Sequence, residues 1–262
     1  NQFRHIMRRL GIEVRIAKGE SPEDFAELVD SRTRAIFCES MGNPTCGVAD
    51  IERIAQVSRQ NEIPLIVDNT FGAGGYLCNP FDWGADIVIE SATKWINGHG
   101  TAMGGIIVDG GNFNWGNGKF PGIDGPSEGY HGLNFHKAFG QGAFIVKCRV
   151  DGLRDLGSCP SAFDSYLMLL GLETLSLRVR HQVEATRTLA EHLRGHKAVK
   201  KVSYVGFADH PSYELAAKYF RHGASAVFNV ELQGDIESTI RFVEALELAA
   251  HMTMIGDSVT VV

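Results

Sequence analysis

Two apolar runs that each end in polar residues decide the fold of this 262-residue chain. Residues 64–70 read PLIVDNT, and residues 85–94 read ADIVIESATK. In each stretch the short β-prone run predicts a buried strand, and the polar residues behind it predict a turn. Amphipathic stretches alternate with apolar runs of this kind, so we predict an α/β fold with a mostly parallel sheet flanked by helices.

The same alternation extends in both directions from these two strands. Ser21, followed by Pro22, predicts a helix start, and Asp50 predicts the N-cap of a helix that ends near Gln60. We predict strands over residues 12–17, 34–38, 64–67, 85–89 and 104–108.

The second half of the chain has a different pattern. Residues 110–142 are rich in glycine, asparagine, proline and aromatic residues, which predicts a long ordered loop with a helical piece. Residues 161–195 form a long helical pattern, and the order strand, helix, strand, helix follows Lys197. We therefore predict a large domain over residues 1–175 and a smaller α+β domain over residues 176–262.

Both ends of the chain interrupt a structural pattern. The sequence begins inside a helical pattern without an initiator methionine, and it ends in the apolar, β-prone run Val259–Val262. We expect both domains to be incomplete in this chain.

Composition narrows the class of protein. Hydrophobic residues make up 44% and charged residues 21%, which is ordinary for a globular core. The net charge of -6 argues against nucleic-acid binding, and no apolar run reaches the roughly 18–20 residues of a membrane span. Five cysteines without paired spacing favour reduced thiols in an intracellular protein, and we predict no metal site.

The polar residues behind the strands are the candidates for chemistry, because α/β sheets bind ligands beyond the carboxyl ends of their strands. Asp68 and Thr70 follow one strand, and Ser91, Thr93 and Lys94 follow the next. Pyridoxal 5′-phosphate (PLP) needs a lysine amine for its aldehyde, a carboxylate facing its pyridine nitrogen, and hydroxyls for its phosphate. These five residues supply that set.

Asn43 lies on the loop after another predicted strand, where it could bond the O3′ oxygen of PLP or a substrate carboxylate. Each candidate also has an ordinary structural role: Asp68 as a turn former, Lys94 as a solvated side chain, and Asn43 with Pro44 as a turn. The joint pattern favours PLP, although periodicity alone leaves both interpretations open.

Three motifs together resemble the Cys/Met-metabolism family of PLP-dependent enzymes. They are residues 91–100 (SATKWINGHG), residues 66–71 (IVDNTF) and residues 39–44 (ESMGNP), and the resemblance runs over essentially the whole chain. Residues 107–115, 118–121 and 130–133 are similar to the O-acetylhomoserine sulfhydrylase branch of that family. The resemblance implies a fold of the aspartate aminotransferase type, which is PLP fold type I.

The resemblance also implies a role for each candidate. Lys94 is implied as the Schiff-base lysine and Asp68 as the partner of the pyridinium. Ser91 and Thr93 are implied as phosphate ligands, with Thr70 close to the cofactor ring.

Asn43 is implied as a contact of O3′ and of the substrate. Other parts of the family's site have no counterpart in this chain: the phosphate-cup loop, a stacking tyrosine, residues that reach the neighbouring subunit, and the arginine for the substrate carboxylate. A cytoplasmic homotetramer, built as a dimer of dimers, is the assembly that the family implies.

The implied reaction is γ-replacement, in which O-acetyl-L-homoserine and sulfide give L-homocysteine and acetate. The long segment 110–142 favours this reaction. A γ-lyase or γ-synthase of the same family would use the same lysine and ring partner. A truncated homologue that acts as a binding or regulatory subunit is the third alternative.

Overall fold

A four-stranded sheet forms the centre of the computed structural model, which describes residues 1–262. Its strands are β1 (Ile36–Glu39), β2 (Leu65–Asp68), β3 (Ile87–Ser91) and β4 (Gly105–Asp109), paired in the order β1-β2-β3-β4. The first three strands are parallel, and β4 runs antiparallel to β3. The predicted α/β class with a mostly parallel sheet is confirmed.

Helices connect these strands and continue through the second half of the chain. They are α1 (Met7–Arg9), α2 (Pro22–Ala26), α3 (Ile51–Gln60), α4 (Pro121–Asp124), α5 (Phe135–Phe139), α6 (Ala143–Lys147), α7 (Ala162–Glu173), α8 (Leu175–Arg194), α9 (Tyr213–Tyr219) and α10 (Ile236–Glu244). Shorter 3₁₀ turns span Thr70–Gly72, Pro80–Trp83, Glu128–Tyr130 and Gly140–Gly142, and π-helical turns span Gln2–Ile6 and Cys148–Asp155. No helix is both long and apolar enough to cross a membrane.

The helix starts predicted from sequence are present. The Ser21 hydroxyl accepts from the Asp24 backbone N–H, and the Asp24 carboxylate accepts from Ser21, which completes a capping box. Asp50 accepts from the Arg53 N–H at the start of α3, which buries Ile51 and Ile54 in the core behind β1 and β2. The N-caps thus define where α2 and α3 begin, and the apolar face of α3 packs this helix against the sheet.

The prediction of a strand over residues 12–17 is wrong. This stretch forms no ladder with any strand, and Ile12 and Ile16 are 48% and 53% exposed. The Arg15 side chain instead donates to the Leu28 carbonyl at 2.8 Å and pairs with Asp30. Apolar residues do alternate in this stretch, but a strand also needs a neighbouring backbone with which to form hydrogen bonds.

Residues 110–142 are ordered around an aromatic cluster. Trp115 is buried, with its ring 4.7 Å from Phe113, 5.0 Å from Phe120 and 5.0 Å from Phe144. Such rings bury large apolar areas, so they hold a segment that has few long elements of its own. The predicted ordered segment with helical pieces is confirmed.

Beyond α8, the predicted order of strand, helix, strand and helix is confirmed. Strands β5 (Val199–Ser203) and β6 (Asn229–Leu232) pair antiparallel in a separate two-stranded sheet. Helix α9 lies between them in sequence, and α10 follows β6.

The long helical pattern of residues 161–195 is two helices that meet at Thr174. Gly171, near the end of α7, is buried against the chain that follows β3. A Cβ on Gly171 would lie inside contact distance of the carbonyl oxygens of Ile96 and Asn97. Only glycine allows this close approach, which places α7 directly against the turn that carries Lys94.

We predict that Gly171→Ala destabilises the protein by about 1–3 kcal/mol, because the new methyl group must displace backbone atoms that cannot move alone. Urea unfolding of the variant measures this loss. Gly152→Ala is the matched control, since a Cβ at Gly152 meets nothing within 4 Å. Equal stability of the two variants would show that α7 does not depend on the close approach.

Candidate functional site

The carboxyl ends of the three parallel strands lie level with one another. Glu39, the last residue of β1, is opposite Asp68, the last residue of β2, and Asp68 is opposite Ile89 of β3. Because parallel strands end at the same edge of the sheet, residues far apart in sequence meet here. The register therefore brings the polar residues behind β2 and β3 to one edge, as predicted.

The Thr70 hydroxyl joins the ends of β2 and β3. It donates to Asp68 Oδ1 at 2.6 Å and accepts from the backbone N–H of Ser91 at 2.9 Å. The Thr70 backbone N–H also donates to Asp68 Oδ1, at 3.0 Å. Two donors on one carboxylate oxygen fix the direction in which Asp68 presents its other oxygen.

Lys94 lies in a tight turn that begins at the end of β3. Its N–H donates to the Ser91 carbonyl at 3.2 Å, and its own carbonyl accepts from Gly98 at 2.7 Å. The side chain is half-buried, and its Nζ contacts the Met254 sulfur at 3.5 Å. Met254 is 160 residues away in sequence, so the C-terminal segment forms one wall around the amine.

A second contact holds this C-terminal segment against the turn of Lys94. The Trp95 indole N–H donates to Gln182 Oε1 at 3.0 Å, and Gln182 Nε2 donates to the Asp257 carbonyl at 2.7 Å. Trp95 is buried, and a Cβ on Gly256 would lie 2.6 Å from its ring. Residue Gln182 of α8 thus links the lysine turn to the segment that covers it.

Arg178 supports the same turn from α8. Its Nη2 donates to the carbonyls of Trp95 at 3.0 Å and Gly171 at 2.6 Å. Burial lowers the pKa of Arg178, and the Asp257 carboxylate acts in the opposite direction. Arg178 therefore ties the lysine turn to the end of α7, because one guanidinium nitrogen donates to a carbonyl of each.

The remaining predicted residues lie near this edge with different contacts. Ser91 is half-buried at the last position of β3. The Thr93 hydroxyl is engaged by the backbone of Gly104, accepting from its N–H at 3.1 Å and facing its carbonyl at 3.3 Å. Asn43 is exposed on the loop behind β1, where its backbone N–H lowers the pKa of Glu39.

Sequence reasoning missed two acids at these strand ends, Glu39 and Glu90. Burial raises the pKa of the Glu39 carboxyl, and the Asp68 carboxylate raises it further. Glu90 is only 8% exposed, and burial raises its pKa to about 7. The rule that singled out Asp68, a charged residue at the carboxyl end of a strand, would have found both.

The charges of Asp68 and Lys94 suit a zwitterionic cofactor. The side-chain hydrogen bonds of the Asp68 carboxylate come from Thr70, and the one hydrogen-bonding contact of Lys94 Nζ is Met254. Half-buried charges are normally paired within the protein. An amine and a carboxylate left available at one sheet edge fit the aldehyde and the protonated ring nitrogen of PLP.

Comparison with known proteins decides the family. The sequence profile of the Cys/Met metabolism PLP-dependent enzymes matches residues 1–262. The chain belongs to this family. The resemblance stated from the three motifs is confirmed, and with it the dependence of the family on PLP.

The curated relatives of this Cys/Met-metabolism chain share nearly half of its sequence. It is 48% identical over 261 residues to O-acetyl-L-homoserine sulfhydrylase 1 of Thermus thermophilus, covering 99% of this chain and 62% of the relative. It is 45% identical over 264 residues to homocysteine synthase of Schizosaccharomyces pombe, covering 100% of this chain and 62% of the relative. The chain thus spans about three fifths of the length of these relatives.

A solved structure has the same fold. It is a crystal structure from Campylobacter jejuni assigned as an O-acetylhomoserine (thiol)-lyase, with N′-pyridoxyl-lysine-5′-monophosphate in the chain. The two superpose with a TM-score of 0.94 at 30% identity, covering 98% of this chain and 64% of that chain. The predicted PLP fold class is confirmed for the residues of this chain.

We predict that Thr70→Val destabilises the protein by about 1–3 kcal/mol, because the Ser91 N–H and Asp68 Oδ1 each lose a partner in a half-buried place. Thr70→Ser keeps the hydroxyl and should retain most of the stability. Urea unfolding compares the two. Thr188→Val, which removes an exposed helical hydroxyl bonded to the Glu184 carbonyl, is the control. A loss in Thr70→Val no larger than in this control would contradict the bridging role.

Proposed function

We propose that the protein catalyses γ-replacement, converting O-acetyl-L-homoserine and sulfide to L-homocysteine and acetate. The observation that carries the proposal is that Lys94 and Asp68, an amine and a carboxylate, lie at the same sheet edge, where Thr70 joins the ends of β2 and β3. The names of the two curated relatives, an O-acetyl-L-homoserine sulfhydrylase and a homocysteine synthase, support the choice of reaction.

The residues at the sheet edge would hold the cofactor. Lys94 Nζ would bond to its aldehyde carbon, and Asp68 would keep its ring nitrogen protonated. Ser91 and Thr93 would hold the phosphate, with Thr70 and Asn43 next to the ring. When bound, PLP acts as an electron sink that stabilises negative charge next to the substrate amine.

Lys94 is the residue that we assign to proton transfer. Its side chain is half-buried, its one hydrogen-bonding contact is from Nζ to the Met254 sulfur, and it is carried by a turn that α7 and α8 fix. After release from the cofactor, this amine can take the proton from the substrate Cα and later return a proton. Met254 contacts the amine, so the C-terminal segment borders the site where the proton would be transferred.

The replacement balances without an oxidant or reductant. The bond between Cγ and the ester oxygen breaks, and acetate leaves with its electron pair. Sulfide supplies the electron pair of the new bond between Cγ and sulfur. The proton lost from the attacking hydrogen sulfide balances the charge of the departing acetate.

A γ-lyase or γ-synthase remains the second candidate, since it would use the same lysine and carboxylate. The names of the relatives favour replacement over elimination. Segment 110–142, ordered by the Trp115 cluster, is the part of the chain that we expect to distinguish the two.

Assembly and domain limits are further parts of the proposal. We place a large cofactor-binding domain at residues 1–175 and a small domain at residues 176–262, in a cytoplasmic homotetramer built from dimers. Apolar residues on the outer faces of α7 and α8 support an assembly: Phe163 is 68%, Leu169 61% and Leu177 69% exposed.

We predict that Lys94→Ala in the full-length protein abolishes the visible absorption band of bound cofactor and lowers homocysteine formation roughly 100-fold or more. Lys18→Ala removes an exposed lysine on a loop and should change neither. Absorption spectra and a homocysteine assay on both variants test this. A normal band with normal turnover in Lys94→Ala would overturn the assignment.

We predict that the full-length protein forms homocysteine from O-acetyl-L-homoserine and sulfide, and forms little α-ketobutyrate from methionine alone. Product analysis of the two incubations separates replacement from elimination. If α-ketobutyrate from methionine dominates, the protein is a γ-lyase. If the protein binds PLP but turns over neither substrate, the binding or regulatory alternative holds.

A further inference from the structure

Glu90 is a buried carboxylate that the proposed reaction does not use. It precedes Ser91 on β3, and its side chain extends from the opposite face of the strand to that of Ser91. It is 8% exposed and forms no salt bridge; its partners are neutral N–H donors. A buried, unpaired acid is costly, so its place in the fold calls for an explanation.

The two oxygens of Glu90 hold both ends of the turn that follows β2. Oε1 accepts from the Asn69 side-chain amide at 2.9 Å, and Oε2 accepts from the Gly74 backbone N–H at 2.8 Å. The same Asn69 amide also donates to the Cys78 carbonyl at 2.8 Å. Glu90 therefore clamps residues 69–74 against β3, and the Asn69 amide extends this hold to Cys78.

Thr70 lies inside this clamped turn. Its hydroxyl contacts Asp68 and the Ser91 N–H, and the 3₁₀ turn Thr70–Gly72 continues directly from Asn69. Asn69 is fully buried, so the turn has little freedom to move while Glu90 holds it. The orientation of the Asp68 carboxylate thus depends on Glu90 through Thr70.

We propose that Glu90 is a positioning residue, which orients Asp68 towards the cofactor nitrogen by clamping Asn69 and Gly74 at the two ends of one turn. This inference rests on the proposed function only for the role of Asp68. The clamp itself concerns contacts within this chain and can be tested without cofactor.

The charges around Glu90 define the pH dependence of the clamp. The charged group that acts on it is Asp68 at the end of β2, which raises the Glu90 pKa after the larger effect of burial. Cys78, its other titratable neighbour, stays a neutral thiol because burial raises its pKa to about 12. The hydrogen bonds from Gly74 and Asn69 favour the carboxylate, but burial outweighs them, so the Glu90 pKa rises from 4.5 to about 7 in the fold. The closed turn is therefore most stable below 4.5, loses stability as pH rises from 4.5 to about 7, and changes no further above that.

Hydrogen exchange on cofactor-free protein tests the clamp. At about pH 5 the neutral Glu90 carboxyl still has two oxygens that can accept, whereas Glu90→Gln has one oxygen and an NH₂ that opposes the second donor. Exchange in Asn69–Cys78 should therefore accelerate by at least about fivefold, the factor for one lost hydrogen bond. Glu27→Gln makes the same substitution at an exposed site and should leave this segment unchanged. An unchanged segment in Glu90→Gln would overturn the proposal.

The wild-type protein supplies a test that needs no variant. Exchange in Asn69–Cys78, after correction for the intrinsic chemical rate, should rise as pH increases from 4.5 to about 7 and then level off, because opening of the turn exposes Glu90 to water. A corrected rate that does not change there would overturn the clamp even if Glu90→Gln failed to fold.

A double-mutant cycle separates positioning from general structural support. Glu90→Gln should raise the dissociation constant of PLP by at least about fivefold in the wild-type background, and should have little further effect in Asp68→Asn. Additive effects would show that Glu90 does not act through Asp68 and would overturn the positioning role. Failure of the wild-type protein to bind PLP would instead contradict the proposed function. The hydrogen-exchange measurement would still test the clamp, because it uses cofactor-free protein.

Discussion

The Thr70 hydroxyl is the interaction on which the site depends, because it is bonded to both strand ends at once. It donates to Asp68 at the end of β2 and accepts from Ser91 at the end of β3. Parallel register brings these ends level, but register alone leaves their side chains free to rotate. The Thr70 hydroxyl restricts the rotation of the Asp68 side chain. Lys94 is three residues after Ser91, in a turn that is hydrogen-bonded to the Ser91 carbonyl.

The turn of Lys94 is fixed from outside the sheet. Gly171 admits the backbone of Ile96 and Asn97, and Arg178 donates to the carbonyl of Trp95. The amine therefore stands on a rigid turn between the sheet and two helices. A rigid support of this kind places a reacting group without loss of conformational freedom at each turnover.

Local patterns in the sequence were enough to predict the strands of the main sheet, the caps of α2 and α3, and the location of Asp68 and Lys94 behind neighbouring strands. Each of these follows from a rule about neighbours in sequence, namely apolar runs, N-cap residues and polar strand ends. The failure at residues 12–17 has the opposite cause, since a strand requires a partner that no local pattern supplies. The contact of Thr93 with Gly104 likewise comes from the antiparallel return of β4.

Long-range contacts were beyond sequence reasoning. Met254 reaches Lys94 across 160 residues, and Gln182 reaches Trp95 across 87. No periodicity encodes such pairs, because they depend on how α8 and the C-terminal segment pack against the sheet. Glu90 differs from these, since it lies at a strand end and the rule that found Asp68 applies to it.

We propose that Lys94 is the residue that bonds to PLP, and the site described above depends on it. Reduction of the full-length protein with borohydride, followed by proteolysis and mass spectrometry, tests it most directly. We predict one peptide with the added mass of a pyridoxyl phosphate group, and that fragmentation places this mass on Lys94. The same mass on another lysine, or no modified peptide from protein that carries cofactor, would contradict the claim.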